Sequence, residues 1–398
     1  MEGLVPAEVE RLGPYLLLER LAPYGMVQPY LARRDGAIDL VVVKRLLPQL
    51  VRHPTAPRRF AREARLTRML EHPHLVRTVD VGYANDELFM ATELVAGVRL
   101  DVLMINAIAR GRPLPLDVVS GLVQRVLAGL GHAHRAQDAG RPLGIVHRDL
   151  TPRSITVAFT GAVKLGDFGV ARAKGDAALT APGTAVGTLA YMSPEQVDRA
   201  PLDARTDLYS FSVLLYELLT GRPMVDAQDA LSILKQVREL NPMPLRDRRP
   251  ELPERLAQVV QRGLAKDVED RWPDALSYEH ALQEALQEVG PSASSERLGA
   301  FVRACLPDEE DHFLQMLNRV RSVSSTLPAE AYEEAPIPFD DDDDEPLPEP
   351  TPEPSVMTMP GLSLPMQQRV AVARARGPSP RRLWLMGSVV VALAALAT

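Results

Sequence analysis

Hydrophobic and polar positions follow two different patterns along this chain, and the change lies near residue 100. Residues 13 to about 100 contain short β-rich runs separated by turns, such as YLLLERL, DLVVVKRL and LFMATEL. One amphipathic stretch, roughly residues 57–70, interrupts these runs. A period of two is typical of strands, whereas apolar residues three and four apart are typical of a helix. This part of the chain predicts a small, mostly antiparallel sheet with a single helix.

Helical periodicity dominates from about residue 116 to residue 288, as in VVSGLVQRVLAGLGHAH and DLYSFSVLLYELLTG. Short strands are expected there only around residues 155–165. The sequence therefore predicts an α+β fold with two lobes, a small β-rich lobe over about residues 12–97 and a larger, mainly helical lobe over about residues 98–288. Residues 289–327 are predicted to form a helical extension that packs against the large lobe.

The composition changes after the helical extension. Residues 328–380 are rich in proline and acidic residues, and we expect a disordered linker because they cannot bury enough apolar surface to fold. Residues 340–345, DDDDDE, form an acidic run within it. We favour a solvated, self-repelling spacer for this run, and docking on a basic partner is the alternative.

Residues 383–398 form a stretch of 16 residues without a charge. A comfortable helical span needs about 20 residues, so a short apolar helix packed on the protein is one interpretation. However, the stretch follows a cluster of arginines and has Trp384 at its boundary. That arrangement favours a transmembrane anchor with the arginine side in the cytoplasm.

Composition and charge exclude several classes of protein. The formal net charge is −7, and the six carboxylates of residues 340–345 leave only about −1 for the rest of the chain. Nothing in this balance indicates a nucleic-acid partner. The single cysteine, Cys305, excludes an internal disulfide framework and fits a reducing compartment. The acidic start MEGLVPAEVERLG is unlike a secretory signal, so we expect the N-terminal part to stay in the cytoplasm.

An ordered series of short motifs indicates the chemistry of the chain. In sequence order these are Lys44 in VVVK, Glu63 in AREA, HRD at residues 147–149, DFG at residues 167–169, SPE at residues 193–195, Asp207 in DLYS and Arg271 in DVEDRW. The set resembles the eukaryotic-like (Hanks-type) serine/threonine protein kinases of bacteria, over roughly residues 12–288. The resemblance implies a bilobal kinase fold, ATP and Mg²⁺ as cofactors, and a protein substrate or signalling partner. With the anchor, it implies a kinase-like domain on the cytoplasmic side of the bacterial inner membrane.

The resemblance also implies a role for each matched residue of the cleft. Lys44 would hold the α- and β-phosphates of ATP, and Glu63 would orient Lys44. Asp149 would accept the proton of the attacking substrate hydroxyl, and Asp167 would bind the metal that bridges the phosphates. Lys44 and Asp149 are therefore the predicted catalytic residues, and Lys44, Glu63 and Asp167 are the predicted nucleotide-binding residues.

Other matched positions are expected to shape the activation segment. Glu195 and Arg271 should form a buried ion pair that fixes the end of this segment on the large lobe. Thr188 matches a position that shapes the substrate groove, so we expect a structural role for it. Thr180 and Thr184 are the predicted phosphosites, because the neighbouring Arg148 of HRD could pair with an added phosphate.

Two segments depart from the family pattern. In LAPYGMVQPYLA, residues Ala22, Tyr24 and Val27 stand at the glycine positions of the loop that covers the phosphates in the family.

In HRDLTPRS, Thr151 replaces a lysine that reaches the γ-phosphate, and Ser154 replaces the metal-binding asparagine, so Ser154 is at most a weak metal ligand. Both sets of losses affect the phosphates and their metals. We therefore predict a signalling protein with impaired phosphoryl transfer, resembling a pseudokinase. An active ATP-dependent serine/threonine kinase is the alternative, and a scaffold that binds no nucleotide is a third interpretation.

Overall fold

The structure is a computed structural model that describes residues 10–84, 87–109, 114–168, 185–227, 229–239, 241–321 and 333–334. The predicted phosphosites Thr180 and Thr184, nearly all of the predicted linker and the predicted anchor at residues 383–398 lie outside these residues. Within the described part of the chain, no helix is both long enough and apolar enough to cross a membrane.

An antiparallel sheet with one helix forms the first lobe. The strands are β1 Glu10–Leu12, β2 Tyr15–Arg20, β3 Val27–Arg34, β4 Leu40–Leu46, β5 Thr78–Ala84 and β6 Glu87–Glu93, and they pair in the order β1-β2-β3-β4-β6-β5. The helix α1, Ala56–Arg68, packs against β5. Its buried residues Ala56, Phe60 and Ala64 recur every four positions, which places them on one face of the helix. The predicted small antiparallel lobe with a single helix is confirmed.

The second lobe is mainly helical. Its helices are α2 Leu100–Ala109, α3 Leu116–His134, α4 Ala185–Leu189, α5 Pro194–Val197, α6 Ala204–Thr220, α7 Ala230–Glu239, α8 Leu245–Arg248, α9 Glu254–Gly263 and α10 Ala275–Gln287. Every residue of α6 from Thr206 to Leu219 is buried, and α3 and α9 pack against it. A helix that is covered on all sides in this way is the centre of the core. The predicted α+β arrangement of two lobes is confirmed.

Five short strands lie close to the junction of the lobes. They are β7 Gly97–Arg99, β8 Gln137–Asp138, β9 Arg141–Pro142, β10 Ile155–Ala158 and β11 Val163–Leu165. Strand β10 pairs with β11 on one side and with β7 on the other. A Cβ atom at Gly97 would lie 2.3 Å from the Val157 carbonyl oxygen, so this pairing requires glycine. The sequence predicted β10 and β11, but the two-residue strands β8 and β9 are too short to show a period of two.

Two further helices continue the chain beyond α10. They are α11 Ser295–Cys305 and α12 Glu309–Arg321. Helix α11 packs against α2, α3 and β10. Its approach to the loop after β10 is close, because a Cβ atom at Gly299 would lie 2.4 Å from the Phe159 carbonyl oxygen. The ring of Phe159 also lies 6.0 Å from that of Phe313 in α12. A last short strand, β12 Glu333–Glu334, pairs with β5 at the edge of the first sheet.

Candidate active site

A buried aspartate of α6 fixes the loop that carries Asp149. The carboxylate of Asp207 is fully buried and accepts hydrogen bonds from the backbone N–H groups of His147 at 2.7 Å and Arg148 at 2.8 Å. His134 Nε2 lies 2.8 Å from the same carboxylate. Arg148 has a φ of 64°, a left-handed conformation that residues other than glycine rarely adopt. The bonds to Asp207 therefore hold a strained backbone in place and so position Asp149.

Asp149 faces a small pocket between this loop and the start of α5. The pocket is lined by Arg148, Asp149, Leu150, Thr151, Thr188, Tyr191, Met192, Gln196 and Ser210. Gln196 Nε2 donates a hydrogen bond of 2.8 Å to the Arg148 carbonyl oxygen, which connects the two sides. Thr188 is buried in the lining, next to the predicted catalytic residue. This location agrees with the structural role predicted for it.

The turn between β2 and β3 is a tight hairpin. The backbone groups of Tyr24 and Val27 exchange hydrogen bonds of 3.2 and 3.0 Å. Gly25 has a φ of 54°, which a turn of this kind requires and which glycine adopts without strain. The side chain of Gln28 reinforces the hairpin by donating a bond of 2.6 Å to the Leu21 carbonyl oxygen. As a result the hairpin holds the Tyr24 side chain in one place.

Tyr24 and Lys44 both contact Asp167, and these three residues form the Tyr24–Lys44–Asp167 cluster. Asp167 Oδ1 accepts hydrogen bonds from Lys44 Nζ at 2.7 Å and from the Tyr24 hydroxyl at 2.9 Å. The Lys44 ammonium also lies 5.5 Å from the centre of the Tyr24 ring. Asp167 has a φ of 55°, so its backbone is strained as well. One carboxylate oxygen of Asp167 is thus occupied by two donors.

Electrostatics favour the charged forms within this cluster. Burial alone would raise the pKa of Asp167, but the Lys44 charge and the hydrogen bonds from Lys44 and Tyr24 lower it below its ordinary value. Burial alone would lower the pKa of Lys44, but Asp167, with smaller contributions from Tyr24 and Glu63, raises it. Burial raises the pKa of the Tyr24 phenol, with Asp167 adding to the effect. Tyr24 therefore stays protonated and donates its hydrogen bond at neutral pH.

Glu63 does not take the position that the sequence predicted. Among the described residues, the ion pair of Lys44 is with Asp167, so the predicted Lys44–Glu63 pair is wrong for this conformation. Burial raises the pKa of Glu63 to about 7, because the nearby Lys44 charge offsets only part of the desolvation and the Asp167 charge opposes ionisation. The physical reason is competition, since Lys44 is already neutralised by the closer carboxylate.

Two buried contacts support the end of the activation segment. Arg271 binds Glu195 through two hydrogen bonds of 2.7 and 2.8 Å, so the predicted ion pair is confirmed. Tyr191 donates a hydrogen bond to Glu217 of α6, a contact that the sequence analysis missed. Burial raises the pKa of Glu217 to about 7. A single carboxylate within the apolar run YELLTG is the sequence signal that could have revealed a buried partner there.

Comparison with known proteins decides the family. Residues 23–287 match the family model described as protein kinase domain. The chain belongs to the protein kinase family. Its domain is of the bacterial Hanks-type serine/threonine class, and the fold prediction is confirmed with it.

Curated relatives of the kinase come from several bacteria. The chain is 33% identical to the serine/threonine-protein kinase PknH of Mycobacterium tuberculosis over 318 residues, which cover 80% of this chain and 46% of the relative. It is 34% identical to the tyrosine-protein kinase MasK of Myxococcus xanthus over 311 residues, covering 77% of this chain and 48% of the relative. The chain thus spans about half the length of the curated relatives it matches.

A solved structure shows the same fold. The crystal structure of the Mycobacterium tuberculosis PknI kinase domain aligns with a TM-score of 0.54 and 26% sequence identity. The alignment covers 71% of this chain and 99% of the PknI chain.

Ser154, the predicted weak metal ligand of the kinase, is engaged within its own loop. Its hydroxyl donates a hydrogen bond of 2.9 Å to the Thr151 carbonyl oxygen and accepts one of 3.2 Å from the Thr151 N–H. These bonds close the short turn at Pro152–Ser154. Within the described residues, no cluster of three histidine, cysteine or acidic side chains could hold a metal ion. Asp167 has the oxygen chemistry that Mg²⁺ prefers, so it fits the metal only after its two donors move away.

We expect the affinity of the kinase for ATP to rise several-fold between about pH 6 and pH 8, because the pKa of Glu63 is about 7. Below that pKa Glu63 is neutral and leaves Lys44 to Asp167. Above it, Glu63 is ionised and competes for Lys44, which releases Asp167 for the metal. Titration calorimetry of Glu63→Gln should give a flatter pH profile than the parent.

Glu217→Gln is the matched control for this prediction, because the pKa of Glu217 is also about 7 but its hydrogen bond goes to Tyr191, outside the Tyr24–Lys44–Asp167 cluster. This variant should keep the pH dependence of the parent. A profile that is unchanged in Glu63→Gln would exclude Glu63 as the titrating group.

Proposed function

We propose that this chain is a membrane-anchored, kinase-family signalling protein in which phosphoryl transfer is impaired. The observation that carries the proposal is the hydrogen bond of 2.9 Å from the Tyr24 hydroxyl to Asp167 Oδ1. In the family this carboxylate binds the metal that bridges the phosphates. A metal ion needs the oxygen that Tyr24 and Lys44 now share, and both donors must move before it can bind.

The retained residues support nucleotide binding with slow or absent turnover. Lys44 can hold phosphate oxygens once it leaves Asp167, and Asp207 keeps the loop of Asp149 in position to accept a proton from a substrate hydroxyl. Bound Mg²⁺ would supply the charge neutralisation that phosphoryl transfer requires. Neither the Tyr24 side chain at the phosphate loop nor the Ser154 hydroxyl favours that neutralisation.

The proposal is tested with the full chain in detergent, labelled ATP and Mg²⁺ or Mn²⁺. We expect transfer to itself or to a general protein substrate to stay near the level of Asp149→Asn, which lacks the base. ATP should still raise the melting temperature, and Lys44→Ala should abolish that rise. Sustained transfer that is lost in Asp149→Asn would overturn the proposal.

An active serine/threonine kinase is the second candidate. It is favoured by the catalytic loop, in which the bonds from Asp207 to His147 and Arg148 hold Asp149 in the pocket with Thr188. For this candidate the Tyr24–Lys44–Asp167 cluster is a resting state that opens when substrate binds. Phosphorylation of Thr180 and Thr184, the predicted phosphosites, would accompany it. Mass spectrometry of protein from its native cells that finds phosphate on neither residue would count against such regulation.

Membrane anchoring rests on residues 383–398 and on the arginines before them. We expect the full chain to remain in the membrane fraction after alkaline washing, because an apolar helix is held by the bilayer core and not by charge. A chain that stops at residue 380 should be released. If alkaline washing also removes the full chain, the stretch is not an anchor.

A further inference from the structure

One face of α1 is strongly basic. Residues 52–68 contain six arginines and one glutamate, an excess of five positive charges. Within the helix, Arg58, Arg62 and Arg65 follow one another at spacings of four and three, so they share one side. The buried residues of α1 lie on the opposite side. Arg58 is exposed, and Arg62 and Arg65 are partly exposed. We call Arg58, Arg62 and Arg65 the arginine face of α1.

The positive charge of this face reaches the catalytic loop. The pKa of Arg148 is lowered by burial and, in addition, by the charge of Arg62. Two guanidinium groups are therefore close enough to repel each other across the junction of the lobes. An anionic segment on the arginine face would relieve this repulsion, since opposite charges at short range favour the charged forms.

The chain itself contains such a segment, and it leaves the described structure beside α1. Strand β12, Glu333–Glu334, pairs with Tyr83 and Gly82 of β5, and β5 packs against α1. The acidic run of residues 340–345 begins six positions after Glu334. Six extended residues reach about 20 Å, which equals the length of a 13-residue helix such as α1. Two prolines, Pro336 and Pro338, favour an extended path over this distance.

We propose that residues 340–345 dock in cis on the arginine face of α1. Six carboxylates then meet an excess of five positive charges, and the short tether holds them at an effective concentration in the millimolar range, as is typical of short linkers. Weak individual pairs are sufficient at such a concentration. Because α1 carries Glu63, the docked run restrains the helix whose position decides whether Glu63 or Asp167 pairs with Lys44. The surface and its occupant do not depend on whether the kinase is active.

Disulfide trapping in the full chain tests the contact. Asp342→Cys is combined either with Arg58→Cys on the arginine face or, as a control, with Lys235→Cys on α7, which is also exposed. The natural Cys305 is buried and does not compete. We expect the Arg58 pair to form an intramolecular disulfide at least tenfold faster than the control pair. About 1 M NaCl should remove most of the difference, because the Debye length is then only about 3 Å.

A second comparison keeps the proposal testable without new cysteines. Changing the five aspartates of the run to Asn and Glu345→Gln should increase hydrogen exchange in α1, while the same number of Ser/Thr→Ala changes elsewhere in the tail should not. Equal trapping rates for the Arg58 and control pairs would overturn the proposal. Disulfides formed only between two chains would assign the face to a second copy, and protection of α1 by phosphatidylserine vesicles alone would assign it to a membrane. Either result would also overturn docking in cis.

Discussion

Replacing Tyr24 with phenylalanine should tighten the binding of Mg²⁺ and ATP by about tenfold or more. The change removes only the hydroxyl that donates to Asp167 Oδ1. A hydrogen bond to a charged group contributes about 1.5–3 kcal/mol, and about 1.4 kcal/mol corresponds to a factor of ten in affinity. The ligand no longer has to break this bond before the metal reaches Asp167. Tyr24→Gly should give an equal or larger gain, because it also removes the ring from the phosphate side of the cleft.

Tyr30→Phe is the matched control for Tyr24→Phe. Tyr30 lies on β3, and its hydroxyl accepts a hydrogen bond of 2.7 Å from Arg45, away from Asp167. The control should bind nucleotide as the parent does, and titration calorimetry at one pH measures all three variants. If Tyr24→Phe also binds as the parent does, the Tyr24–Lys44–Asp167 cluster does not oppose nucleotide, and the proposed cause of impairment is wrong.

The lobes and the Glu195–Arg271 pair followed from the sequence because they depend on long, redundant patterns. Many positions of α3 and α6 repeat the same helical period, so a single unusual residue does not change the prediction. Glu195 and Arg271 stand in fixed motifs, and a buried charge requires a partner, which leaves little choice. The strand order and the single helix α1 follow from the same redundancy.

The details of the cleft depend on distances that a sequence does not contain. Tyr24 was recognised as a residue at a glycine position, but the direction of its side chain is set by the geometry of the hairpin and by Gly25. The partner of Lys44 is decided by competition between two carboxylates, Glu63 and Asp167, that both influence its charge. Small displacements of α1 reverse such a competition. The motifs named the residues that meet in the cleft, whereas their pairing needed the structure.

The other large effect concerns whether the phosphate loop or Ser154 limits phosphoryl transfer. Ser154→Asn alone should change the rate little. The Ser154 hydroxyl already bonds to the N–H and carbonyl groups of Thr151, and the site is buried, so an asparagine there serves the turn before it reaches a metal. Its amide also cannot help a phosphate that Tyr24 keeps from being seated. The test that the sequence suggests is a restoration of glycine at positions 22, 24 and 27, alone and with Ser154→Asn.

The structure narrows this test to the double variant Ala22→Gly with Tyr24→Gly. Val27 is the first residue of β3 and is buried in the apolar core beneath the sheet, so Val27→Gly would leave a cavity and destabilise the lobe. Loss of a comparable electrostatic contact costs about 10²–10³ in rate, and we expect a gain of that order when the double variant is combined with Ser154→Asn. The combined gain should exceed the product of the separate gains, because the metal ligand acts only on a seated phosphate. Asp149→Asn in the combined variant must abolish transfer. A large gain from Ser154→Asn alone would show that the phosphate loop already works with Tyr24 in place, and the impaired function would lose its main support.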